Sequence, residues 1–408
     1  MAHNRERGTK KAALAPRAPL MPGSDPTPLR ICLVVSYFHP FESGAERQAL
    51  AQAIELVRRG HSVHVVTHAV YGVPTEEEIS GIQVHRWIRS WKSGPLFGPT
   101  FVSSTILALL RLRRHYDLIH THQALWEAVS TGAAHLGGIR GVPTVVQPAS
   151  SGFYGEAQEL LRTRGANFLR RLILRNDALV AISADIENEW LALGVPASKI
   201  TKIASGVDHR QFAPGDSRAE ASLPGRPRVM FTGRLHPQKN LDILIEAWPE
   251  VAAATGASLI LVGDGPERER LAAKAGSLGI EPFVHFNGVT DDPADLLKAA
   301  DLFVLPSLAE GMSNSLLEAM ATALPCVASD IGGNQDLLKP SDAGVLIAEP
   351  SPNAWARELV ALIQDPERRA RLGANARKRI EDEYALEHVV DRYVELYRRL
   401  LSRKKARP

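Results

Sequence analysis

The chain has 408 residues, 45% of them hydrophobic, with 48 Lys and Arg against 45 Asp and Glu, a formal charge of +3. Residues 1–30 and 401–408 carry +4 each, which leaves −5 on the body between them; a uniformly basic nucleic-acid-binding surface is excluded, because phosphate neutralisation needs an excess of Lys and Arg. At about 150 residues per domain, this length suits two or three domains with ordinary large cores, and the apolar content excludes disorder of the body.

Residues 1–28 are rich in Ala, Pro, Arg and Lys and have no apolar core of signal-peptide length, so they read as a disordered tail. From Arg30, short apolar runs alternate with amphipathic ones: Ile31–Ser36, a helical stretch over Ala45–Arg59, His61–Thr67, Asp117–His120, Pro143–Val146 and Ala178–Ile182. A second series follows the polar stretch near 213–227, with strands expected at Arg228–Phe231, Ser258–Val262, Val284–Phe286, Leu302–Leu305 and Cys326–Ala328. The alternation predicts an α/β fold of two doubly wound parallel-sheet units, over residues 29–215 and 225–382. A last amphipathic helix over 383–402 must bury one face against another part of the chain. Open sheets of this kind bind ligands outside the carboxyl ends of their strands, so function is expected in a cleft between the units. Cys32 and Cys326 both fall in strand-like runs, which argues against a disulfide framework and for a reducing cytosol. No window reaches the ~18 consecutive apolar residues of a membrane span.

Leu305–Ala321 combines the end of a strand, a Gly-containing turn and a helix starting near Ser313, where free backbone N–H groups make an anion site. Glu318, one turn into that helix among Leu316, Leu317 and Met320, is expected to be partly enclosed and suited to accept both hydroxyls of a ribose. Glu310, in the turn, can meet the hydroxyls of a second sugar. Gly233-Arg234 and Lys239 follow the first strand of the second unit and place a planar fork and a flexible point charge where they can hold a diphosphate without metal. No Asp-x-Asp occurs and no His, Cys or carboxylate cluster has ligand spacing, so neither a metal nor another cofactor is expected. Gly263-Asp-Gly265 lacks the third glycine of a dinucleotide fingerprint and reads as a tight turn. In the first unit, Gly44 can let the backbone approach a phosphate from the opposite wall. His120 and His122 at a strand end are expected on opposite sheet faces, one of them toward the cleft.

Glu310-x7-Glu318, Gly233-Arg234-Leu with Lys239, Ala204-Ser-Gly-Val-Asp208 with Phe212, and Ser43-Gly44-Ala-Glu46 together resemble the retaining GT-B glycosyltransferases of family 4, over about residues 30–400. The resemblance implies two Rossmann-like domains facing across a cleft, the first on the acceptor side and the second binding the nucleotide sugar, with a C-terminal helix crossing back to the first. It implies that Arg234 and Lys239 bind the donor diphosphate and that Glu318 binds the ribose. Glu310 and the backbone of Met312, Ser313, Asn314 and Ser315 would contact donor sugar and phosphate. Gly44 would belong to the opposing loop, His122 would lie near the transferred sugar, and Val289 near the base. Three departures stand out: Ser43 and Ser313 replace usual glycines, and Ala204-Ser205 replaces the usual Pro-Asn, so the family's commonest donor is not assumed.

The expected reaction moves a sugar from a nucleoside diphosphate donor, UDP- or GDP-linked, to a hydroxyl of a glycan or lipid-linked acceptor. Retention follows from the resemblance, and the absence of a hydrolase-like carboxylate pair fits a same-face substitution in which the leaving phosphate helps deprotonate the acceptor. The alternatives are a sugar-nucleotide epimerase or phosphorylase on the same frame, or a non-catalytic nucleotide-sugar-binding partner. The cationic-aromatic run Arg86–Lys92 and the basic amphipathic stretch Leu160–Arg175 suit an anionic membrane surface, so a cytoplasmic protein with peripheral membrane contact is expected.

Overall fold

The computed structural model describes residues 27–40 and 44–405; the expected tail therefore lies outside the described residues apart from Thr27 and Pro28, as does Ser43. Among the described residues the strands form two sheets. The first contains β1 (Arg30–Val35), β2 (Ser62–His68), β3 (Glu76–Ile79), β4 (Ile82–Ile88), β5 (Leu118–His122), β6 (Thr144–Gln147), β7 (Ala178–Ala181) and β8 (Ile200–Lys202). Its order is β3-β4-β2-β1-β5-β6-β7-β8, parallel except for the β3–β4 hairpin. The second contains β9 (Arg228–Thr232), β10 (Ser258–Val262), β11 (Val284–Gly288), β12 (Leu302–Leu305), β13 (Cys326–Ser329) and β14 (Val345–Ile347), all parallel in the order β11-β10-β9-β12-β13-β14. The central strands are buried on both faces, which is why β9 and β10 read as unbroken apolar runs. Strand order reverses between β1 and β5 and between β9 and β12. The turns after these four strands therefore face the crevices where such sheets bind ligands.

Four strands were not expected from the sequence. β8 and β14 are three residues long, too short to show a period. β3 is the acidic run Glu76-Glu-Glu-Ile79, paired to β4 through Ser80 and Gly81, both at positive φ as a tight two-residue hairpin requires. This hairpin corrects the reading of Arg86–Lys92 as one surface run. Arg86 points inward from β4, is 1% exposed, pairs with Glu77 and donates to the carbonyls of Pro74 and His39. Trp87 lies under the Arg111 guanidinium. The basic stretch 160–175 is two helices, Glu156–Arg162 and Ala166–Ile173, interrupted at Gly165 with φ +80°.

The final helix, Leu386–Lys405, buries Val389, Val390, Tyr393, Leu396, Tyr397 and Leu400. It returns to the first sheet, where Tyr397 Oη meets His120 Nδ1 at 2.7 Å and Tyr393 donates to Gln147 Oε1 at 2.7 Å. Arg59 pairs with Asp391, and Lys404 with Asp177 at 3.2 Å. These bonds are buried or half-buried, so losing one strands its partner. Tyr397→Phe is expected to lower the unfolding free energy by about 1–3 kcal/mol, read by denaturant titration.

Beneath the β1–β5 reversal, Glu127 on the helix Trp126–Gly137 is 2% exposed and accepts from Ser36 Oγ. Burial pushes its carboxyl up to about 7, against the lowering effect of the Ser36 hydroxyl. A carboxyl protonated in the fold up to about 7, but ionising near 4.5 when unfolded, favours the fold below pH 4.5. That advantage is lost as the pH rises through 7. Glu127→Gln cannot ionise, so its melting midpoint should gain on the wild type between pH 4.5 and 7 and hold a constant offset outside that range.

Candidate active site

The turn after β9 carries Gly233, Arg234 and Lys239. Gly233 sits at φ +152°, and its N–H donates to Val262 O at 2.9 Å. A Cβ on Gly263 would run into the Gly233 carbonyl, and one on Gly265 into the Leu235 carbonyl. The Gly263-x-Gly265 pair is thus a turn that lets two loops pack backbone to backbone, as read from the sequence. Arg234 is exposed and has no hydrogen bond or ion pair among the described residues. Lys239 reaches the turn after β12, where its Nζ pairs with Glu310 Oε1 at 2.5 Å. The two turns are also joined by Leu308 N–H to Gln238 O and by Gln238 Nε2 to Ala309 O, both 2.9 Å.

After Glu310 the chain enters the helix Asn314–Ala321, capped by Ser313 Oγ, which accepts from Leu316 N–H at 3.4 Å and lies 3.1 Å from Ser315 Oγ. Ser313, which replaces a usual glycine, thus does capping work. Glu318 is 7% exposed. Its Oε1 pairs with Arg47 at 2.9 Å, and its Oε2 is buried without a partner. Burial raises the Glu318 carboxyl above its ordinary range, and the Arg47 guanidinium opposes that shift. Arg47 was not singled out in the sequence, although a signal existed: it occupies the first turn of the helix Gly44–Arg58, where the helix dipole disfavours a cation. A cation held there calls for a carboxylate partner.

The opposing wall comes from the first sheet. Gly44 opens its helix, and its carbonyl accepts from Asn314 Nδ2 at 2.7 Å, while Gln48 Nε2 donates to Asn314 Oδ1 at 3.0 Å and Gly206 O at 2.6 Å. A side chain on Gly44 would stand 3.6 Å from Asn314 Nδ2. Ser151 Oγ, beyond β6, donates to Glu310 O at 2.7 Å. Gly311 packs so closely on Ala149 that a Cβ would strike its carbonyl. Met312 Sδ accepts from Ser205 N–H at 3.3 Å. Glu310, Met312, Asn314, Glu318 and Gly44 therefore meet at one interdomain seam, with Ser313 and Ser315 at the start of the same helix, Lys239 held to it through Glu310, and Gly233 and Arg234 on the turn that carries Lys239.

One expectation changes. His120 and His122 are two residues apart on β5, so the pleat places them on the same face, not on opposite faces; their rings stack with centroids 4.5 Å apart. His122 is 2% exposed, its Nε2 has no partner, and burial pushes it down to about 3, so the ring is neutral near pH 7. Gln123, the next residue, holds φ +98°, a strained conformation costing about 1–3 kcal/mol that no sequence signal announced. Val289 is 75% exposed just beyond β11, after Gly288 at φ +75°, whose carbonyl accepts from the N–H of Gly263, the residue packed on Gly233. Among the described residues, no group of three or more His, Cys, Asp or Glu is placed to hold a metal ion, and no helix is long and apolar enough to cross a membrane.

The chain is similar to known proteins in both halves. Residues 43–211 match the family Glycosyltransferase Family 4, and residues 226–365 match Glycosyl transferases group 1. The D-inositol 3-phosphate glycosyltransferase of Rhodococcus opacus is 30% identical over 87% of this chain and 85% of its own length. A GDP-mannose-dependent alpha-mannosyltransferase of Mycobacterium tuberculosis is 30% identical over 78% of this chain and 84% of its own. The crystal structure of Anabaena HepE in complex with UDP superposes with a TM-score of 0.73 at 21% identity, over 91% of this chain and all of that one. With both halves matched in order and the two-sheet fold shared, the chain belongs to the group 1, family 4 glycosyltransferases and has the GT-B fold.

Proposed function

We propose that the chain transfers a glycosyl group from a nucleoside diphosphate sugar to a hydroxyl acceptor, with retention of anomeric configuration and without metal. The observation that carries this reading is the pair of ion pairs at the seam, Lys239–Glu310 and Arg47–Glu318, beside the uncommitted Arg234. A donor brings a polyanion and uncharged sugar hydroxyls, and each half-pair suits one of them. Ribose hydroxyls bind Glu318, using the Oε2 that has no protein partner and displacing Arg47 from Oε1. Lys239 turns from Glu310 to the diphosphate, joined by Arg234 and the N–H groups at the start of the Asn314–Ala321 helix. Glu310 is then free for the hydroxyls of the sugar. As the glycosyl bond breaks, these cations stabilise the charge that grows on the leaving diphosphate. The leaving phosphate oxygen takes the acceptor proton on the same face. His122 Nε2 serves the transferred sugar as an uncharged hydrogen-bonding group. The names of relatives that use GDP-mannose or bind UDP support a nucleotide-sugar donor without choosing the base.

Lys239→Ala and Glu318→Ala should each lower turnover at least tenfold, about 1.4 kcal/mol in barrier terms, and full activity should survive a chelator. The anomeric configuration of the product, read by NMR, should match that of the donor. Wild-type rates in both variants, loss of activity in chelator, or an inverted product each overturn a named part of this reading. A thermal-shift screen across UDP, GDP, ADP and TDP sugars identifies the donor.

For the acceptor, a basic and apolar surface borders the seam. Phe153, Tyr154, Leu161 and Phe168 are exposed among Arg162, Arg164 and Arg171, and the Arg162 guanidinium stacks 4.0 Å over Phe153. Tyr154 packs edge-on to His236 of the second domain, and Gly152 lies against Ala309, so this surface begins where the cleft ends. We propose that it rests on anionic lipid and presents a lipid-linked acceptor. Vesicles with anionic headgroups should sediment the protein, neutral vesicles should not, and equal partitioning onto both would remove the membrane from the proposal.

A further inference from the structure

A cavity of about 470 Å³ opens between the domains; neither Arg234 nor Lys239 lines it, and Met312 is the one residue it shares with the seam described above. Three parts of the chain wall it. The first domain contributes Ile182–Ala184 at the end of β7 and Lys202 on β8. The second contributes Asp336 and Lys339 at the end of the helix Gly332–Leu338, and the returning segment contributes Arg379, Glu383, Tyr384 and Arg392.

Its charges do not cancel. Glu383 pairs with Arg379 Nη1 at 3.1 Å, whereas Asp336 keeps its charge while its Oδ2 accepts from Ala184 N–H at 2.9 Å. Lys202 is matched by Glu187. Lys339 and Arg392 remain, each exposed at the rim and without a hydrogen bond or ion pair among the described residues. Deeper in, Arg379 is 7% exposed. Bonds to Asp336 O, Tyr384 Oη and Ser341 Oγ hold its guanidinium in place, while its Nε is buried with no partner.

Two cations without partners outweigh the single charge of Asp336 and leave the lining net positive, which suits a compact anion with several acceptor oxygens, the chemistry of a phosphate monoester. The volume falls in the range of small-molecule sites and leaves room for a sugar-sized organic part. We propose that this cavity is a second anion site, distinct from the donor site, that binds a sugar-sized phosphate monoester. Lys339 and Arg392 supply the charge.

Titration calorimetry of the full chain at low salt tests this with glucose 6-phosphate, inorganic phosphate and glucose as probes. Glucose 6-phosphate should bind the wild type and Lys239→Ala alike and bind Lys339→Glu/Arg392→Glu at least tenfold more weakly, with basal transferase activity unchanged in that double variant. Inorganic phosphate should bind more weakly than the ester with the same variant dependence, and glucose should not bind. Binding lost in Lys239→Ala but kept in the double variant would place the ester in the donor site and overturn the proposal. Equal binding to all three proteins, or none at millimolar ester, also overturns it, and inorganic phosphate binding as tightly as the ester would overturn the assignment to an ester.

Discussion

The seam between the domains depends on two carboxylates that the fold hides from water. An unpaired buried charge costs several kcal/mol, and removing one partner of a buried pair is strongly destabilising. Glu318 and Glu310 therefore each hold a cation: Arg47 from the first domain for one, Lys239 from the neighbouring turn for the other. Both pairs leave the ligand-free seam electrically balanced, and Arg47–Glu318 also ties the first domain to the second across it. They also define what can open it: a molecule that supplies both hydroxyls for the carboxylates and negative charge for the cations. The proposed donor meets that requirement in one piece, whereas a simple sugar or a simple phosphate meets half of it.

The approach that makes such pairs reachable is set by backbone packing. Gly311 lies under the Ala149 carbonyl, and Gly333 lies against the Gly311 carbonyl, so the loop of one domain is clasped between the other domain and its own following helix. A methyl added to Gly311 would strike the first domain, and one added to Gly333 would strike the Gly311 loop within its own domain. Because Glu310 precedes Gly311 and its carbonyl accepts from Ser151, the same contact sets where its carboxylate stands. The glycines act through position, and the charged groups act through chemistry.

Much of this was legible in the sequence. The unbroken apolar strands β1, β9, β10 and β12 identified a two-sheet parallel fold, since only strands buried on both faces read that way. The periodicity of Val389, Val390, Tyr393, Leu396, Tyr397 and Leu400 showed that the last helix needed a partner surface. Gly233, Arg234, Lys239, Glu310 and Glu318 stood out because turns after strands tolerate such residues only where something uses them. What stayed hidden depends on pairing between distant segments. Arg47 meets Glu318 across 271 positions of chain, and no local pattern encodes that meeting. β3 and Arg86 were obscured because charges that look solvent-facing are buried against each other. The strain at Gln123 is a property of backbone angles, which composition does not carry.

The chain passes between the domains twice, and the two passages lie side by side. Val207, on the outward passage, donates to Tyr384 O, and Leu386, on the return, donates to Val207 O, each at 3.0 Å. Gly206 leaves no room between them: a Cβ there would stand 3.0 Å from Leu386 Cα. Two links joined at one point act as the pin of a clasp. Sliding or twisting of one domain against the other would tear those bonds, while rotation about the pin leaves them whole. Gln48, the neighbour of Arg47, donates to Gly206 O at 2.6 Å, so the Arg47–Glu318 pair stands close to this pin, and a swing about it would move the groups furthest from Val207 the most.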